Sequence, residues 1–94
     1  MQVTIEEIRS KNTWGKNELT ELLTKRVNKY TELITNERAK GEKRDLAKII
    51  KFLVIKDSLG WLIVHIQSKA SWGKNVILEK LFSIVAEQLE DVYN

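Results

Sequence analysis

Apolar residues recur at separations of three and four along most of this chain. Leu19, Leu23, Val27, Tyr30 and Ile34 form one stripe while Thr20, Thr24, Asn28 and Thr31 fall off it, a period that predicts a long amphipathic helix with a wet outer face. Gly41 offers that helix a stop after Lys40. Ile77, Leu78, Leu81, Phe82, Ile84, Val85, Leu89 and Val92 cover more than half the circumference of a second long helix, which predicts a central position for it. Thr4-Ile5-Glu6-Glu7 is spelled as a capping box and predicts a short helix starting near residue 5. There is no proline to interrupt any of these elements.

The middle of the chain admits two readings. Leu46, Ile49, Ile50, Leu53 and Val54 have helical spacing, with Asp45 and Lys48 suited to an outer face. The stretch KFLVIKDSLGWLIVHIQ is also rich in β-branched and aromatic residues on both sides of Asp57-Ser58-Leu59-Gly60, which is how a hairpin reads. Helix is favoured, giving an all-α fold; the alternative is α+β with a central hairpin at about 48–67.

The chain also matches itself. At a shift of 58, residues 3–36 and 61–94 agree at thirteen of thirty-four positions, where unrelated segments agree at about two. The core of the match is SKNTWGKN against SKASWGKN, and it extends to Ile5/Ile63, Ile8/Ile66, Glu21/Glu79, Leu23/Leu81, Val27/Val85 and Glu32/Glu90. The matched apolar positions keep helical separations, so the expectation is a small helical bundle built from an internally duplicated helix-elbow-helix unit. Residues 37–60 would join the two copies within one domain spanning 1–94. At this length one modest core is expected and a second domain is not.

The WGKN elbow carries the clearest chemistry. Trp14 and Trp72 suit apolar staples where two helices meet, and Thr13 and Ser71, or Asn17 and Asn75, suit caps of the long helices. Packing does not explain Lys16 and Lys74. A helix N-terminus presents unpaired N–H groups and the positive end of the dipole, so a lysine beside it reads as part of an anion site. The spacing Ser-x-x-x-x-Gly-Lys-Asn approaches a phosphate-binding loop, but serine replaces the first glycine and asparagine the magnesium-binding hydroxyl, which speaks against nucleotide hydrolysis.

Charge sharpens this picture. The net charge of +3 is small, but Arg38, Lys40, Lys43, Arg44, Lys48, Lys51 and Lys56 face only Glu42 and Asp45 within 38–56, a local +5. Residues 79–94 carry four acids against one base. Such polarity suits an anionic ligand or association of unlike surfaces. With no cysteine and one histidine, His65, neither disulfides nor a zinc site is expected. No cofactor and no metal is expected either. His65 lies in an apolar run and reads as a core or interface residue rather than a general base. Asp57 lacks the second acid of a nuclease metal site, and LTELL at 19–23 is needed for the core stripe. No catalytic constellation emerges. The N-terminus lacks the apolar run of a secretory signal and no segment has the apolar length of a membrane span, so the expectation is a cytoplasmic protein.

Two functions follow. The first is a non-enzymatic nucleic-acid-binding or nucleic-acid-associated regulator, with Lys16, Lys74, Arg38, Lys40, Lys43, Arg44 and Lys48 on phosphates and any exposed tryptophan stacking on bases. The second is a protein-binding module, such as a small inhibitor, an immunity-type or phage-encoded regulator, or an assembly factor. Its interface would hold Phe52, Trp61 and His65. The apolar bulk of 49–66 exceeds what one core-facing side can hide, which predicts a homodimer.

Overall fold

The helical periods resolve into an all-α bundle. The computed structural model describes the backbone of residues 2–93 and the side chains of residues 4–84. Among the described residues, helices α1 (Gln2–Arg9), α2 (Lys16–Arg38), α3 (Leu46–Ile66) and α4 (Lys74–Tyr93) are joined by two short strands, β1 (Thr13–Gly15) and β2 (Ser71–Gly73), and by a tight turn at Gly41–Lys43. The chief interhelical contact is α2 along α3, and α4 lies against α1 and the end of α3.

The stripe on α2 buries as its period requires. Leu19 and Leu23 are fully buried, Tyr30 and Ile34 nearly so, and Val27 packs at the edge of the same core. Ile49, Leu59, Leu62 and Ile66 of α3 face them, and the Tyr30 and Phe52 rings meet with centroids 5.9 Å apart. Phe52 is therefore half-buried against α2. Burial pushes the Tyr30 phenol above its ordinary value, an effect that the Arg26 charge partly opposes.

α3 runs unbroken through Asp57-Ser58-Leu59-Gly60, which excludes the alternative hairpin at 48–67. The reason lies at its ends and on its buried side. Asp45 caps the helix by accepting the Lys48 N–H at 3.2 Å, and the buried residues on α3 keep three-and-four spacing against α2. A strand would expose half of them. Tertiary packing thus outweighs the β-branched composition. Gly60 sits inside the helix, where a Cβ would meet nothing within 4 Å, so it is no turn residue. Gly41, by contrast, has φ +62°, and it breaks the chain between α2 and α3 near the expected place.

Three local expectations are corrected. α1 begins by Gln2, so Thr4 lies inside the helix; its hydroxyl is buried and accepts the Arg26 Nε–H at 2.9 Å. α2 is not capped as expected: Gly15 precedes it with no side-chain cap, and both long helices start at lysine, ahead of Asn17 and Asn75. α4 is not the central helix among the described residues. Its Ile77, Leu78 and Leu81 are buried, but Phe82 is 43% exposed, with the Arg9 guanidinium 5.5 Å from its ring centre. Val85, Leu89 and Val92 lie outside the described side chains.

The elbows, read only as bends, form a small antiparallel ladder with each other, Trp14 opposite Trp72. Both indoles are buried, and each donates its Nε1–H at 2.9 Å to a helix-end carbonyl, Ile8 for Trp14 and Ile66 for Trp72. Replacing Trp72 by Phe should leave the Ile66 carbonyl unpartnered and cost about 1–3 kcal/mol. Trp72→Ala should add a cavity and cost about 3–5 kcal/mol in all. Urea unfolding followed by circular dichroism separates the two.

Candidate functional site

Three features of the surface could carry chemistry: the elbow ladder, the basic turn between α2 and α3, and the outward face of α3.

At the ladder, the first N–H group of each long helix is engaged by the opposite strand's flank and not open to an anion. Lys16 N–H donates to the Ala70 carbonyl at 2.9 Å and Lys74 N–H to the Asn12 carbonyl at 3.0 Å. The antiparallel register places the two lysines at opposite ends of the ladder, so they do not form one site. At the first elbow Glu18 occupies the helix start, accepting from the Lys11 ammonium and from the Gly15 N–H. The Lys11 hydrogen bond does most to hold the Glu18 carboxyl below its ordinary value; partial desolvation opposes it, and the Lys11 charge and the Gly15 N–H reinforce it. The position matching Glu18 at the second elbow is Val76, so the two starts differ. Lys11 and Lys69 each lie 4.3 Å from the centre of the neighbouring indole, Trp14 and Trp72 respectively. With both tryptophans buried beneath these cations, neither ring is open to a base. His65 packs its ring on Trp72, centroids 5.3 Å apart, at the exposed end of α3.

The basic residues of the α2–α3 turn are brought together. Arg38, Lys40, Lys43, Arg44 and Lys48 are all exposed at one end of the molecule. Their organiser is a residue not singled out by the sequence pattern, Glu37. It is buried, accepts from Lys40 Nζ at 2.8 Å with one oxygen and from the Asp45 N–H at 2.8 Å with the other. Arg44 Nη1 donates to the Gly41 carbonyl at 2.8 Å. Lys40 and Arg44 thus help to build the turn as well as to charge it. The Lys40 hydrogen bond, then that of the Asp45 N–H, holds the Glu37 carboxyl below the usual glutamate range against the opposing effect of desolvation. Lys40 and Lys48 add charge attraction.

The outward face of α3 has a different character. Leu46, Ile50, Val54, Trp61 and Val64 are 58%, 61%, 39%, 75% and 64% exposed. At 100° per residue these five and Asp57 fall within a stripe of about 100°, which extends for roughly 27 Å along the helix. Asp57 is the one charge within it and makes no ion pair or hydrogen bond among the described residues. Asp57, Gly60, Trp61 and Val64 line a shallow groove of about 260 Å³. The period of the buried residues on α3 accounts for only one side of the helix, and this second apolar side was legible only as surplus bulk.

A further concavity of about 320 Å³ lies between α1 and α2, lined by Thr4, Glu7, Leu22, Lys25, Arg26 and Lys29. Lys25 and Lys29 stand 3.9 Å from Glu21 and Glu32 of their own helix, so its charges are largely balanced locally. No group of acidic or histidine side chains that could hold a metal ion occurs among the described residues, and no described helix is long and apolar enough to cross a membrane.

Comparison with protein-family models, with curated proteins and with solved structures yields no match to this chain.

The Glu37 hub carries a pH signature. Its folded pKa lies below the ordinary value near 4.5, so the stability it contributes is fully present above that value. That contribution is lost as pH falls through the depressed folded value. Glu37→Gln should therefore show a flatter decline of urea midpoint below pH 4.5 than wild type.

Proposed function

We propose that this chain is a non-enzymatic protein-binding module whose recognition surface is the outward face of α3. The observation that carries the reading is Trp61, a tryptophan three-quarters exposed in the middle of an otherwise aliphatic helix stripe. An indole on the surface of a rigid helix is the residue type most often found as an anchor in protein interfaces. An exposed apolar face of this kind marks an interaction surface more often than a solvent-facing one. Small inhibitors, immunity-type regulators and assembly factors act through such faces without catalysis. The matching contacts about Trp14 and Trp72 also support reading residues 3–36 and 61–94 as a duplicated unit. In that reading the ladder is the joint of a scaffold and not itself the binding site.

The exposed cations at the α2–α3 turn favour a second reading, nucleic-acid binding at that end. Against it stand the local acids. Residues 37–48 hold five bases and three acids, Glu37, Glu42 and Asp45, for a net +2. The exposed tryptophan lies some thirteen residues along α3 from Lys48, about 20 Å away. It is not placed to stack on a base held by the turn.

A salt titration decides between the two. On the protein-binding reading, generic duplex and single-stranded oligonucleotides should show no saturable binding at physiological salt, and Lys16→Ala with Lys74→Ala should change stability by no more than ~0.5 kcal/mol. Binding that weakens steeply with salt, and that Lys43→Ser with Arg44→Ser reduces by roughly one unit of log-log slope per lost contact, would establish the nucleic-acid reading instead.

A further inference from the structure

Resting on the protein-binding reading, we infer that the occupant of the α3 face is α3 of a second copy, packed antiparallel across a twofold axis between Val54 and Asp57.

The stripe is nearly palindromic. Read from either end, Leu46, Ile50, Val54, Asp57, Trp61 and Val64 fall at steps of three and four. An antiparallel twofold sets Leu46 against the partner's Val64, Ile50 against the partner's Trp61 and Val54 against the partner's Asp57. The bulkiest residue of each copy then meets an aliphatic one. The groove beside Trp61 is open because residue 60 is glycine, and a Cβ there would meet nothing within 4 Å. The partner's Ile50 fills that groove, a side chain set into a gap between its neighbours.

Charge selects the same arrangement. A carboxylate in an apolar interface is costly unless a cation meets it. Parallel helices would set Asp57 against the partner's Asp57. Antiparallel helices set it within one turn, about 4.5 Å along the axis, of the partner's Lys51. Lys51 is half-buried on the flank of α3, and a lysine so placed can lay its stem on apolar surface while its ammonium reaches a partner. The face therefore supplies both the apolar residues and the cation that it requires of a partner.

Area sets the strength. The five exposed side chains present several hundred Å², less than the ~800 Å² per partner of a standard interface. The dimer is accordingly a weak one.

Sedimentation velocity of the full chain across ~5–300 µM reads this directly. Wild type should pass from the 11.0 kDa chain toward twice that mass. Ile50→Glu, at a position 61% exposed and so harmless to folding, should weaken self-association tenfold or more. Orientation is read separately, because the chain has no cysteine of its own. Leu46→Cys and Val64→Cys variants mixed in equal amounts should form mainly the mixed disulfide, whereas homodimeric disulfides of each would indicate a parallel pair and overturn the proposal. A monomer throughout the range also overturns it, and acrylamide quenching, compared with Trp61→Phe, then shows what else falls. Trp61 quenched freely in that monomer leaves the face open to a different protein. Trp61 shielded in a monomer removes the protein-binding reading as well.

Discussion

The structure depends on two strands of three residues. Trp14 opposite Trp72, with Lys16 N–H on Ala70 and Lys74 N–H on Asn12, ties positions 58 residues apart into one ladder. Each indole bonds the carbonyl that ends the preceding helix, so one residue closes α1 onto β1 and its counterpart closes α3 onto β2. Four helix ends meet at this joint. The directions of α2 and α4 are set there, and with them the packing of α2 along α3. A short ladder is weak alone; buried indoles and satisfied helix ends make it stable.

The far end of the α2–α3 pair is held by a different device. Glu37 binds Lys40 on its own side of the turn and the Asp45 N–H at the start of α3. Its carboxylate thus joins the end of one helix to the cap of the next. The surrounding bases look like a ligand site in the sequence because Glu37 lies just outside the basic run and its burial is a tertiary fact. Several of those charges serve the turn. The apolar face of α3, by contrast, stays exposed among the described residues.

That face also explains the ambiguity of the middle segment. A helix apolar on two sides, one against α2 and one against solvent, has no clear hydrophobic period, because both stripes fill the wheel. KFLVIKDSLGWLIVHIQ therefore resembles a strand pair in composition. Packing against α2 and α4 separates Ile49, Leu59, Leu62 and Ile66, which are buried, from Ile50, Trp61 and Val64, which are not.

By itself the sequence determined that a long helix follows each elbow, the apolar stripe through Leu19, Leu23, Tyr30 and Ile34, the burial of Trp14 and Trp72 and the break at Gly41. These are local: helical period, residue volume and the φ that glycine permits act within a few positions of one another. Tertiary structure decided the rest. It turned two bends into a ladder, since strand pairing across 58 residues leaves no trace in either segment alone. It enclosed Glu37, took the Lys16 and Lys74 N–H groups into hydrogen bonds, and turned Phe52 inward against Tyr30 and Trp61 outward. Which side of a doubly apolar helix faces solvent depends on where its neighbour lies, and that is set by the joint at the other end of the chain.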